Sequence, residues 1–168
     1  MYKLAATDVA QERSASEQEL AVLRKLRVIF RAIQEHSRWV EKQCGVSAAQ
    51  LWAMWELFPQ PGMRVSELSK ALSIQQSTAS NLLDKLEQKQ LIERRRGGPD
   101  QRVVRLYLTE QGAKLVQRAP RPAQGALLDA LHRLPGDALT DLDAILAQLV
   151  SIMDVTDRDA GLRPLSED

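Results

Sequence analysis

SELSKALSIQQSTASNLLDKLEQKQLIERRRGGPDQRVVRLYLTEQGAKL, residues 66–115, is the stretch whose patterning decides the fold. Ser66 can cap a short helix over SELSKAL, and after Ser73-Ile74 a longer helix is expected from about Gln76 to Lys89. In that helix Ala79, Leu82, Leu83 and Leu86 fall at i, i+3, i+4 and i+7 and share an inward face. Gln76, Ser77, Ser80, Asn81, Lys85 and Lys89 are left for the other faces. Its first turns are rich in small hydrogen-bonding side chains, which helix propensity alone does not select, so a polar contact is expected there. Beyond it, Val104, Leu106 and Leu108 alternate with Arg105 and Tyr107, the period of a half-buried strand. Gly97-Gly98-Pro99-Asp100 supplies turn chemistry. The expected hairpin carries Arg94, Arg95, Arg96, Arg102 and Arg105 on its arms and tip, and Thr109 caps the helix that follows.

Outward from this stretch the chain reads as helix. Residues 1–15 are polar and without periodicity, so a flexible tail is expected. Ser16 with Glu19 forms a capping-box pattern, and Leu20, Leu23, Leu26, Phe30, Ile33 and Val40 mark one side of a long helix ending near Cys44-Gly45. Ser47 with Gln50 repeats the capping box ahead of SAAQLWAMWELF, which Pro59-Gln60-Pro61-Gly62 ends. Pro120 and Pro122 call for a break at about 119–123. After Pro135-Gly136, with Asp137 expected as cap, Leu139, Leu142, Leu146, Leu149 and Met153 are spaced 3, 4, 3, 4, a heptad-like seam suited to a partner helix. The expected organisation is a lobe over 46–119, helical segments 16–45 and 120–157 outside it, and a second flexible tail over 158–168.

The chain has 168 residues, 27% of them charged and 44% hydrophobic, enough for one domain with a core. Net charge is +1, but residues 61–118 carry +5 and residues 119–168 carry −5, so a polyanion-facing module sits in the middle. No apolar run long enough to span a membrane is present, and the N-terminal residues lack the basic and apolar regions of a secretory signal. One cysteine makes no internal disulfide, and two histidines without partner cysteines make no structural zinc site. A cytoplasmic setting without metal or cofactor is expected. G-x-S-x-G, H-E-x-x-H, a phosphate-cradling glycine loop and a dinucleotide fingerprint are all missing from the sequence, which argues against an enzyme.

A short helix, a tight turn, a polar-tipped helix and a basic hairpin together make a winged helix-turn-helix, in a mainly α fold with a small β-hairpin wing. The tipped helix fits the major groove, where short polar side chains reach base edges. The hairpin brings guanidinium groups to the flanking backbone or the narrow minor groove.

The quoted stretch resembles the MarR family of bacterial transcriptional regulators. The resemblance rests on the reading helix and on the wing pattern D-x-R-x-x-x-L-x-L-T-x-x-G, present as Asp100, Arg102, Leu106, Leu108, Thr109 and Gly112. It extends over most of the chain apart from the N-terminal tail. It implies a homodimer interleaving first and last helices, binding a pseudo-palindromic double-stranded DNA operator with half-sites about 34–36 Å apart. By the same resemblance Gln76, Ser77, Thr78, Ser80 and Asn81 read bases, Lys85 contacts phosphate, and Arg95, Arg96 and Arg102 belong to the wing. Asp100 would hold Arg102 by a charge-assisted pair. Gln75 stands where the family often has a capping Ser, Gln90 where it often has a closing Gly, and Leu51 where an aromatic is common.

The family's phenolic and aromatic-acid effectors bind between the first two helices and the DNA lobe. That makes His36, Arg38, Trp39, Trp52 and Trp55 the expected pocket, with packing of the core or dimer as the competing role for each Trp. The reading implied is a repressor released by a small aromatic molecule. Two alternatives stand beside it: a thiol-based redox sensor acting through Cys44, and a winged-helix protein-interaction module that has lost DNA binding. Cys44 has only Lys42 as a nearby cation in sequence, which favours an inert thiol.

Overall fold

A computed structural model describes residues 3–96, 103–119, 121–122, 125–153, 155–157 and 159–165, with side chains from Ser16 onward. The order is α1 (Lys3–Cys44), α2 (Ala48–Leu57), α3 (Val65–Ala71), α4 (Gln76–Gln88), β1 (Ile92–Arg96), β2 (Val104–Leu108), α5 (Glu110–Arg118), α6 (Ala126–His132), α7 (Gly136–Ile152) and the 3₁₀ turn η1 (Ala160–Leu162). The expected mainly α architecture with a two-stranded wing is the one found.

Local chemistry sets most boundaries. At α2, Ser47 Oγ accepts from the Gln50 N–H at 3.3 Å while Gln50 Oε1 accepts from the Ser47 N–H at 3.0 Å, the expected reciprocal box. Thr109 Oγ1 accepts from the Gly112 N–H at 3.0 Å and caps α5. α1 ends at Gly45, whose φ of +68° and N–H bonded to the Glu41 carbonyl close the helix.

Four expectations are corrected. α1 runs from Lys3, so residues 3–15 continue the helix instead of forming a tail, and Ser16 lies inside it. LAATDVAQERSASEQEL holds neither Gly nor Pro and is rich in Ala, Gln and Glu, so nothing in it stops a helix. The cap of α3 is Arg64, not Ser66, because the Glu67 carboxylate folds back onto the Arg64 N–H at 2.7 Å. α7 opens after Pro135, with Asp137 in its first turn, where a carboxylate favours the helix dipole. The C-terminal stretch expected as a tail contains η1 and returns to the lobe, where the Leu162 carbonyl accepts from the Gln75 N–H at 3.0 Å.

The core lies in the lobe. Val40 from the end of α1 packs with Leu51, Met54 and Leu57 of α2, Leu68 of α3, Leu83 and Leu86 of α4, and Ile92, Leu106 and Val116. Full burial of each such side chain contributes about 1.5–3 kcal/mol. β1 and β2 pair antiparallel, Ile92 opposite Leu108 and Arg96 opposite Val104. The backbone at Gly62-Met63 adds to the free edge of β2 through Leu106, so the wing is anchored on both sides. Gly112 packs against Leu91 so tightly that a Cβ there would collide with the Leu91 carbonyl oxygen. That contact explains the glycine at the end of the wing pattern.

α7 buries none of its side chains, and Leu139, Leu146, Leu149 and Met153 of its seam are all exposed. Leu20, Leu23, Leu26 and Phe30 of α1 are exposed as well. No helix among the described residues is long and apolar enough to cross a membrane.

Candidate nucleic-acid interface

The two faces of α4 separate as its sequence requires. Ala79, Leu82, Leu83 and Leu86 are buried, while Gln76, Ser77, Asn81 and Lys85 are exposed and Thr78 and Ser80 are half-buried. Ser80 Oγ donates to the Gln76 carbonyl at 2.9 Å and Ser77 Oγ to Gln75 Oε1 at 3.4 Å, which leaves hydroxyl lone pairs facing outward. Gln75 is the N-cap by backbone geometry, and its side chain makes no capping bond. The helix closes in a Schellman arrangement, with the Leu91 N–H on the Leu86 carbonyl and the Gln90 N–H on the Glu87 carbonyl. Gln90 occupies the left-handed position at φ +57°, where a glycine carries no steric cost.

Asp84 and Glu87 also lie on α4, and two carboxylates there would repel a phosphate backbone. Arg94 of β1 pairs with both and offsets one of the two charges: its Nη1 lies 2.7 Å from Asp84 Oδ1 and 2.7 Å from Glu87 Oε2, and Nη2 reaches the Ser80 carbonyl at 3.4 Å. The wing is thereby held against the outward side of the reading helix. Arg105 Nη1 donates to the Gly62 carbonyl at 3.0 Å, a second structural arginine. Arg95 pairs with Glu93 and stacks on Tyr107, 4.6 Å above the ring. Arg96 is exposed at the end of β1, while Asp100 and Arg102 lie outside the described residues. The four described arginines of the hairpin thus divide by task, which sequence counting could not do.

The expected pocket residues also divide. A cavity of about 480 Å³ lies between α1, α2, α6 and the α3–α4 turn, lined by His36, Trp52, Leu72 and Leu131 among others. The Trp52 indole N–H is engaged by Glu56 Oε1 at 2.9 Å, and His36 Nε2 is enclosed without a partner among the described residues. Burial holds the His36 imidazole below its ordinary value, so it is neutral near pH 7. Trp39 lines a different cleft of about 410 Å³ with Gln43, Cys44, Leu115, Arg118 and Ala119. Arg38 is exposed on α1, and Trp55 stacks with Phe58 and carries Arg121 over its ring at 5.0 Å. Only His36 and Trp52 of the five therefore meet in the larger cavity. Burial pushes the Cys44 thiol up, opposed in part by Arg118 of α5, a cation far away in sequence.

The model of the MarR family matches residues 46–104, which span α2, α3, α4 and β1 and end at the first residue of β2. The Bacillus subtilis transcriptional repressor MdtR is 35% identical over 101 residues, 60% of this chain and 64% of the relative. The Escherichia coli transcriptional repressor MprA is 27% identical over 144 residues, 84% of this chain and 82% of its own. The crystal structure of the S. aureus MepR–DNA complex superposes with a TM-score of 0.53 at 24% identity, covering 82% of this chain and 98% of that one, a likeness of fold. With its reading helix, its wing and this match, the segment 46–104 is similar to the MarR family of transcriptional regulators, and the mainly helical fold with its two-stranded hairpin is that of the winged-helix structures it superposes on.

Proposed function

We propose that this regulator is a repressor that binds a pseudo-palindromic DNA operator as a homodimer and is released by a small aromatic molecule. The observation that carries the reading is the Arg94 clamp: it holds a basic wing beside the outward polar end of α4 and offsets part of the negative charge of the two carboxylates that would oppose DNA. Ser77 and Asn81 then reach base edges, Gln76, Thr78 and Ser80 support them, and Lys85, Arg96 and Arg102 meet the backbone or minor groove. Arg95, stacked on Tyr107, presents its guanidinium from the same hairpin. The exposed apolar faces of α1 and α7 support dimerisation, since isolated helices rarely leave such stripes in water. The reading also has family support in two related repressors.

The effector would occupy the cavity at His36 and Trp52, whose volume suits a small aromatic molecule. Occupancy would alter the spacing of two lobes that must meet half-sites on one duplex. The test is selection of a bound duplex from a random pool, followed by salt-dependent affinity. Arg102→Ala is expected to lose about 1–3 kcal/mol and to flatten the log-linear salt slope. Unchanged affinity, or binding without salt dependence, would overturn the DNA-binding reading.

A further inference from the structure

The cavity is closed on one side by a segment that no sequence pattern marks. Ala160, Gly161, Pro164 and Leu165 form one wall, facing α1, α2 and α6 across the space. The same segment turns through η1, and the Leu162 carbonyl accepts from the Gln75 N–H at 3.0 Å. Gln75 is the N-cap of α4 and lacks any capping bond from its own side chain. One short stretch therefore touches both the cavity and the N-terminal end of the reading helix.

Asp157 folds that stretch. Its carboxylate accepts from the Asp159 N–H at 3.1 Å and pairs with Arg163, and its carbonyl accepts from the Ala160 N–H at 3.3 Å. Little burial holds the stretch down: Leu162 is exposed, and Leu165 is 71% exposed. Segments with few buried apolar contacts open readily. A molecule filling the cavity would supply the missing apolar surface beneath Pro164 and Leu165.

The polar groups around the space narrow what that molecule is. The Ser37 hydroxyl donates to the Ile33 carbonyl at 3.0 Å and the Trp52 indole to Glu56, while Arg163 is paired with Asp157. His36 Nε2 is the enclosed polar atom left without a partner among the described residues. An apolar ligand bearing one hydrogen-bonding group and no charge fits that lining.

We infer that residues 159–165 are a strap that closes over a neutral, largely apolar ligand and transmits its occupancy to α4 through the Leu162–Gln75 hydrogen bond. The inference rests on the effector reading given above. Ligand binding tightens the strap and fixes the start of the reading helix in one orientation.

The experiment uses the full chain and 2-naphthol as probe, with Trp fluorescence for binding and NMR hydrogen exchange at the Gln75 amide for the strap. Asp157 does not line the cavity and is exposed, so Asp157→Ala disturbs the strap without removing a ligand contact. The variant is expected to bind 2-naphthol about fivefold more weakly and to exchange the Gln75 amide at least about fivefold faster, the effect of losing roughly one hydrogen bond. Saturating probe slows that exchange in the wild-type chain and not in Asp157→Ala, while the separate variant Arg163→Lys, which keeps a cation opposite Asp157, retains most of the wild-type protection. Equal probe affinity and equal exchange in wild type and Asp157→Ala overturn the strap and leave the effector cavity standing. Failure of the wild-type chain to bind the probe counts against the cavity itself, and the coupling falls with it.

Discussion

Arg94 on the first wing strand meets Asp84 on the reading helix at 2.7 Å, and the pair ties together the outer sides of two elements whose inner sides already meet in the core through Leu83, Leu86 and Ile92. The guanidinium is three-quarters enclosed and shared with Glu87, so its removal leaves two carboxylates facing one another. Arg94→Ala is expected to cost about 1 kcal/mol of stability, since both carboxylates are partly in water. It should weaken DNA binding by more than that, because the uncovered charges then repel phosphate. Urea unfolding and operator affinity measured on the same protein check both halves, and a double variant Arg94→Ala, Asp84→Asn should recover part of the affinity.

Gln90 sits at the one position of the α4 terminus where a side chain is a steric burden. Gln90→Gly relieves that contact but frees the unfolded chain, and the balance is a gain of about 0.5–1 kcal/mol. Denaturant midpoints read the difference. A loss of stability would show that the Gln90 side chain makes contacts outweighing its strain.

The seam of α7 is open to water, with Leu139, Leu146 and Leu149 on one stripe and Met153 beyond them. If this stripe packs on a second copy, Leu146→Asp with Leu149→Asp moves the protein from dimer to monomer in analytical ultracentrifugation. DNA affinity should drop with it, because one lobe then meets one half-site. A wild-type chain that sediments as a monomer at micromolar concentration would remove the dimer from the proposed mechanism.

Burial of His36 holds its pKa below the ordinary 6.5, so the folded chain binds fewer protons than the unfolded one between those two values. Stability from this group is complete above pH 6.5 and declines as the pH falls toward the lowered value. His36→Gln, which cannot titrate, should unfold with a flatter pH dependence than wild type on the acid side of neutrality. Parallel profiles for the two proteins would mean that His36 is as solvated as a surface residue.

Periodicity and caps carried the lobe. The apolar spacing of α4, the alternation of β2, the Ser47–Gln50 box and the Thr109 cap are local rules, each satisfied within a few residues, so the sequence alone determined them. Departures of Gln75 and Gln90 from the family pattern were equally legible, and both appear as an uncapped start and a left-handed end. Helix ends without such signals were not: the start of α1 depends on the absence of any breaker, and Arg64 displaced Ser66 because Glu67 reached back.

The partition of charge belonged to tertiary structure. Nothing in IERRR distinguishes Arg94 from Arg95 and Arg96; only the approach of β1 to α4 assigns the first to Asp84 and Glu87 and leaves the third exposed. Likewise the three tryptophans look alike on a helical wheel, yet the crossing of α1 and α2 sends Trp52 into the cavity, Trp39 into another cleft and Trp55 onto Phe58. The return of Leu162 to Gln75 joins residues far apart in sequence. Contacts of that kind depend on where whole elements lie, and no local periodicity encodes them.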